Sequence, residues 1–343
     1  MRPNKSRQVK VAVVGLGFMG VTHLRVYQKL PNVRIVAVCG AKRLPENGVL
    51  RGVAGNIKKP DDIHLGAGVK VYRQFSELLA DPDVELVDIC TPTPVHAAQV
   101  IAALKAGKHV LCEKPLARTS ADARKILAVA DKSKTFLMPA MCMRFWPGWS
   151  QLKQIVAQKT YGRVLTASFH RVSQMPAWNS AQAYAGGDAG GALYDLHIHD
   201  TDFVNFLFGR PHSVFASGVV GVDGSVNHVI TQYHFPGGPV VHAEGSWLLA
   251  SGFNMTFTVN FERATVAFDF ARGCTLQLSE AGRKTRSLKL KPTDGYAGEI
   301  KYFVDCVARG QRPEIVTPQD ALTALEICEA EEKSIRRGVI VKL

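Results

Sequence analysis

The chain has no apolar run of membrane-spanning length, which excludes a transmembrane helix from the sequence reading. Its 7 cysteines are odd in number and include no C-x-x-C pair. That argues against a disulfide framework and against a cysteine-built metal site, so no metal is expected. Cys39, Cys90 and Cys112 each fall near the end of an apolar run, as buried free thiols in a reducing compartment do. Helix-turn-helix, finger and aromatic-studded basic-strand patterns are all missing. The net charge of +13 is therefore read as a spread basic surface that attracts anionic cofactors or substrates, not as a nucleic-acid footprint. The first ten residues carry Arg2, Lys5, Arg7 and Lys10 but no twin arginine, separate hydrophobic segment or small-residue cleavage site. A mature cytoplasmic terminus is the expectation.

What is present is 343 residues that are 46% hydrophobic, enough for sizeable cores and too many for one ordinary domain. Over residues 1–140, apolar strands at 9–14, 33–38, 69–72, 84–90, 109–112 and 136–139 alternate with helical stretches. Ser76 and Ser120 read as helix caps. This rhythm predicts an α/β domain with a doubly wound parallel sheet. Residues 40–68 form an unusually long irregular connection, rich in Gly, Pro, Asn and Lys, and such loops are functional or mobile. After Pro147 the rhythm changes to a helix at 148–158 and then a series of alternating runs between 163 and 279. Residues 141–343 are thus expected to be an α+β domain on an open, mostly antiparallel sheet. Its closing helices at 295–309 and 318–336 are candidates for packing back on the first domain, the latter with Thr317 as cap and Pro318 in its first turn.

Gly15, Gly17 and Gly20 form a G-x-G-x-x-G turn that follows a strand and opens a helix, the context that dinucleotide binding demands. The backbone there, with Phe18 and Met19, can approach a pyrophosphate at a helix N-terminus. The acidic residue that would hold the ribose hydroxyls of NAD is missing; the second strand ends in Cys39-Gly40-Ala41-Lys42-Arg43. Without that carboxylate a 2′-phosphate meets no repulsion, and Lys42 or Arg43 can pair with it. NADP is therefore favoured over NAD, slightly. Thr91, Pro92 and His96 lie beyond another strand end, where open α/β sheets bind ligands, and Thr91 and Pro92 are placed at the nicotinamide ribose. For His96 a locally satisfied helix-start residue is an equal alternative.

Glu113-Lys114-Pro115 also lies just past a strand end. Lys114 there can donate to a substrate oxygen and stabilise a developing alkoxide. Asp195 and His199 repeat at i and i+4 and share one helix face, whereas His197 falls on the other side of the turn. A neutral His199 can accept a hydroxyl proton near neutral pH, and Asp195 can share the relay or merely cap its helix.

Taken together, residues 11–20, Glu113-Lys114-Pro115-Leu116, the segment 190–200, residues 302–306 and Gly310-Gln311-Arg312-Pro313 resemble the family of glucose–fructose oxidoreductase, inositol dehydrogenase and the rhizopine-catabolism proteins (Gfo/Idh/MocA). The resemblance implies a Rossmann domain, a C-terminal open sheet that often forms the oligomer interface, and a sugar or cyclitol substrate. A homodimer or homotetramer follows as an expectation. It also implies catalytic roles for Lys114, Asp195 and His199, with His199 as base, and a place near the nicotinamide for Arg144. The expected activity is NAD(P)-dependent oxidation of a secondary alcohol, or the reverse. Rival expectations are a redox-neutral glycosidase or epimerase with tightly held NAD(H), and a ligand-sensing regulator. His197 stands where the family commonly has glycine and is expected to alter substrate contacts. The long 40–68 connection is expected to cover the adenosine or add an oligomer contact.

Overall fold

Val9–Val14 carries valines and alanine on both faces and is buried on both, as a central strand of a covered parallel sheet must be. The computed structural model describes residues 7–53, 61–176, 190–273 and 275–343. The chain divides into two units, each discontinuous in sequence: Met1–Cys142 with Tyr296–Ala321, and Met143–Gly295 with Leu322–Leu343.

In the first unit, β1 (Val9–Val14), β2 (Val33–Cys39), β5 (Lys70–Tyr72), β6 (Leu86–Ile89), β7 (His109–Glu113) and β8 (Leu137–Ala140) build a parallel sheet. Their order is β5-β2-β1-β6-β7-β8. The order reverses between β1 and β6, and such a reversal opens a crevice at the carboxyl ends of the strands. The connecting helices are α1 (Phe18–Lys29), α2 (Phe75–Ala80), α3 (His96–Lys105) and α4 (Ser120–Ala130). A 3₁₀ turn, Thr93–Val95, precedes α3. Two expected caps move. Gln74 holds the cap position of α2 without a side-chain bond, so Ser76 lies inside the helix. Thr119 caps α4, its hydroxyl accepting from the Asp122 N–H at 3.1 Å, while Ser120 is the first helical residue. The 40–68 connection contains a short antiparallel pair, β3 (Val49–Leu50) with β4 (Ile63–His64); residues 54–60 lie outside the described residues.

In the second unit, α5 (Pro147–Ala157) precedes β9 (Val164–Gln174). The remaining strands are β10 (Ser213–Val220), β11 (Val226–His234), β12 (Val240–Ser246), β13 (Leu248–Phe261), β14 (Ala264–Asp269), β15 (Thr275–Glu280), β16 (Arg286–Lys289) and β17 (Val341–Lys342). They form one sheet in the order β16-β15-β14-β13-β9-β12-β11-β10-β17. All its pairings are antiparallel except β9 with β12. The short edge strands β16 and β17 escape the sequence reading because their alternation is too brief to register. The core beneath the sheet is aromatic: Trp149 sits edge-on to Phe257 and Phe268 at 5.0 and 4.9 Å between ring centres. Two helices end the fold: α7 (Gly295–Arg309), then α8 (Pro318–Arg337), whose boundary residues divide it between the units. At the start of the last helix, the Asp320 N–H donates to the Thr317 hydroxyl (3.2 Å) and the Thr317 N–H to the Asp320 carboxylate (2.8 Å), a reciprocal cap. Among the described residues no helix is long and apolar enough to cross a membrane, and six cysteines are free thiols.

Candidate active site

The three glycines after β1 have different reasons to be glycine. Gly15 has φ 88°, and a side chain there would place Cβ 2.5 Å from the Cys90 carbonyl oxygen. At Gly20 a Cβ would lie 1.9 Å from the Gly15 oxygen. Both are dictated by the close packing of helix on strand. Gly17 is not: among the described residues nothing lies within 4 Å of a Cβ built there. Packing against the described residues therefore does not require its lack of a side chain. Gly17 is the cap residue of α1, no acidic residue occupies the first turn, and Phe18 and Met19 are half-buried beside it. The positive end of α1 is therefore open to an anion, and the turn fits a dinucleotide pyrophosphate.

After β2, Ala41 and Lys42 are exposed. Arg43 is engaged differently from the expectation: its guanidinium donates to the Leu16 carbonyl at 2.9 Å and to the Arg51 carbonyl. It ties the long connection to the glycine turn, which leaves Lys42 as the exposed cation of the pair.

Beyond β6, Thr91 donates to the Gln99 side chain at 2.6 Å and Pro92 is exposed. His96 is buried, with Nε2 2.7 Å from the Thr91 oxygen and Nδ1 2.8 Å from the Pro115 oxygen. Burial pushes its pKa down, against the pull of the two carbonyls. The imidazole thus bridges the loops after β6 and β7 rather than presenting itself as a ligand. Lys114 is half-buried in the second of these loops, ahead of a cis bond to Pro115. Glu113 faces inward: Oε2 accepts from the Lys114 N–H at 3.1 Å and Oε1 lies 3.2 Å from His23 Nε2. His23, on α1 and fully buried, also holds Asp88 of β6 through Nδ1 at 2.8 Å. Burial alone would lower the ring's pKa, but Asp88, with Cys90 beside it, outweighs burial and holds it well above the ordinary value.

In the second unit the D-x-x-x-H segment opens with a π-turn, Leu193–His197, before α6 (Ile198–Phe208). The Ile198 N–H reaches back five residues to the Leu193 carbonyl. Wide turns of this kind recur at functional sites. Between residues 190 and 204 every side chain is buried except Asp195 and His199, which are half-exposed. His197 points the other way, into the core: Nε2 lies 3.2 Å from the Tyr233 hydroxyl and 3.4 Å from Glu331, and Gly245 leaves room for the ring. Its expected influence on substrate is thus not by contact from this buried position. Arg144 is also buried, paired bidentately with Asp202 at 2.9 and 2.6 Å and stacked on Phe206. Asp200 pairs in the same way with Arg171 at 2.8 and 3.0 Å, and Thr201 meets Tyr233 at 3.1 Å. Three consecutive polar residues thus pin α6 into the core.

The sequence reading missed His23, Asp88, Asp200 and Asp202. The signals were there: an acid in the middle of an otherwise apolar parallel strand, and a polar run on the buried side of an apolar helix. Neither can be satisfied without a buried partner.

Comparison with known proteins agrees with this architecture. Residues 9–141 match the model described as "Oxidoreductase family, NAD-binding Rossmann fold", and residues 149–267 match the GFO/IDH/MocA C-terminal domain. The chain is 28% identical to myo-inositol 2-dehydrogenase of Thermotoga maritima, over 98% of each chain. It is 30% identical to trans-1,2-dihydrobenzene-1,2-diol dehydrogenase of Oryctolagus cuniculus, over 94% of this chain and 97% of the relative. A solved levoglucosan dehydrogenase, in complex with NADH and levoglucosan, shares the fold with a TM-score of 0.83 at 22% identity, covering 98% of this chain and 99% of that one. With both domain models matched in order along the chain and a 30% identical relative aligned over 94% of it, the chain is a member of the Gfo/Idh/MocA family of NAD-binding oxidoreductases.

Proposed function

We propose that the chain interconverts a secondary alcohol and its ketone on a sugar, sugar derivative or cyclitol. The names of its relatives, which act on an inositol and a cyclic diol, support that class. One observation carries the assignment of groups: Asp195 and His199 are the two residues of an otherwise buried stretch that open to solvent, four apart on one face. When bound, the nicotinamide accepts or returns the hydride. Lys114 donates to the substrate oxygen and stabilises its developing charge. His199 takes the hydroxyl proton, and Asp195 orients the substrate or passes that proton on. In this reading NADP is preferred slightly to NAD, because Lys42 is exposed and no carboxylate follows β2. A homodimer or homotetramer forms through the outer sheet face, where Phe215, Ile230 and Val240 are exposed. Free, largely buried thiols support a reducing, cytoplasmic setting.

The test is a screen of polyols and keto-sugars by nicotinamide absorbance, followed by variants. Lys114→Ala and His199→Ala should each lower turnover at least about a hundredfold while nucleotide still binds. Wild-type turnover in both defeats the assignment. NADP binding about tenfold weaker than NAD in direct titration reverses the cofactor preference. A monomer by light scattering at micromolar concentration contradicts the assembly.

A further inference from the structure

The first unit buries more ionisable groups than a nucleotide site requires. His23 lies between Asp88 (Nδ1 to Oδ2, 2.8 Å) and Glu113 (Nε2 to Oε1, 3.2 Å), and all three are shut off from solvent. The second contact is an ion pair rather than a well-aligned hydrogen bond. Glu299 of α7 brings a further buried carboxylate within 4.8 Å of the His23 and Glu113 atoms. Tyr27 of α1, Tyr296 of α7, Cys90 and Cys112 are further titratable neighbours, and burial pushes all four toward their neutral forms. A ring with a carboxylate at each nitrogen needs a proton on both. The same Glu113 that meets this ring fixes the Lys114 N–H with its other oxygen, at 3.1 Å.

We propose that His23, as a buried imidazolium held between Asp88 and Glu113, is a positioning residue that sets the placement of Lys114 and couples it to the nucleotide-binding helix. Its role follows from connectivity. His23 stands three residues after Gly20 on α1, Asp88 anchors it to β6, and Glu113 relays its position to the lysine turn. His96 grips the far side of that turn through the Pro115 oxygen at 2.8 Å. A displacement of α1 would be transmitted through these contacts to the Lys114 N–H. The inference rests on the reading of Lys114 as a reacting group, and its first readouts do not depend on turnover.

The experiment uses the full chain with ¹⁵N-labelled histidine and ¹³C-dimethylated lysines, the Lys114 signal being assigned by Lys114→Arg. At pH 8, His23 should carry protons on both ring nitrogens. The double variant His23→Gln/Asp88→Asn removes the closer pair together and leaves Glu113 its bond to the Lys114 N–H, so the fold should survive where His23→Gln alone, which strands both carboxylates, fails. In it the Lys114 signal should shift and lose its response to NAD. With myo-inositol or levoglucosan as probe, turnover should fall about tenfold to a hundredfold, as small displacements of reacting groups cost. The Kd for NAD should stay within about threefold, since the pyrophosphate end is untouched. Glu113→Gln is the second variant and should move the Lys114 signal in the same direction. A neutral His23 ring at pH 8, an unmoved Lys114 signal in both variants, or a stoichiometric transition ion on His23, Glu113 and Glu299 each overturns the proposal. If Lys114→Ala turns over normally while the Lys114 signal still answers to His23, the enzymatic reading fails and the clamp stands. If Lys114→Ala is inactive and its signal ignores His23, the clamp alone fails.

Discussion

At the scale of single residues, the glycine turn separates what the fold needs from what a ligand needs. Gly20→Ala should cost stability, because its Cβ would fall 1.9 Å from the Gly15 carbonyl oxygen and backbone cannot yield cheaply. Gly17→Ala should melt like the wild type, since its Cβ meets open space, yet bind nucleotide more weakly. Thermal melts paired with NAD and NADP titrations check both; equal melting temperatures for the two variants would contradict the division. The motif was readable from spacing alone, because the strand and helix around it are local features. The division of labour among its glycines was not, because Cys90 and Gly15 meet only after β1 and β6 pair. For the same reason Lys42 and Arg43 looked alike in sequence, and only the fold shows Arg43 turned back onto the Leu16 carbonyl.

At the scale of elements, the start of α4 was legible to within a residue and that of α2 to within two, and the residue matters. Thr119, not Ser120, accepts the Asp122 N–H. Thr119→Ala should therefore destabilise by about 1 kcal/mol while Ser120→Ala costs less of the capping energy, as chemical denaturation can measure. Both residues can cap, and propensity gives no means of choosing between adjacent candidates. The face shared by Asp195 and His199 was legible because it follows from helical spacing. The π-turn that carries Asp195 ahead of His199 was not, since it arises where buried side chains are pinned to the core. Removing one pin tests this: Asp202→Ala leaves the Arg144 guanidinium buried without its bidentate partner and should cost roughly 3–5 kcal/mol. A loss below about 1 kcal/mol, the worth of an exposed pair, would refute that account. The sheet of the second unit was recognisable by alternation, but β9 beside β12 in parallel is a matter of topology that no local pattern encodes.

At the scale of the molecule, half-buried His109 and buried His23 contribute opposite responses to acid and base. His109 accepts the Phe136 N–H through Nδ1 at 3.0 Å, and burial, with Arg7 nearby, lowers its pKa from 6.5 to about 4. Its neutral form is the folded one, so the stability it contributes is present above pH 6.5 and drains away as pH falls toward 4. Relative to wild type, His109→Gln should lose less melting temperature between pH 7 and pH 4.5, and an unchanged acid slope would exclude His109 as a source. His23 acts in the opposite sense: its raised pKa makes its contribution present in acid and lost as pH climbs through the folded value. The chain passes from one unit to the other after residues 142, 295 and 321. During synthesis, the nucleotide-binding half therefore emerges without Glu299 and its helix, and must wait while nearly all of the second sheet leaves the ribosome. That sheet in turn lacks its edge strand until Val341 and Lys342 are made. The first unit has all its residues only once Ala321 is made, and the second only after Leu322 onward follows, so neither half is built from one uninterrupted stretch of chain.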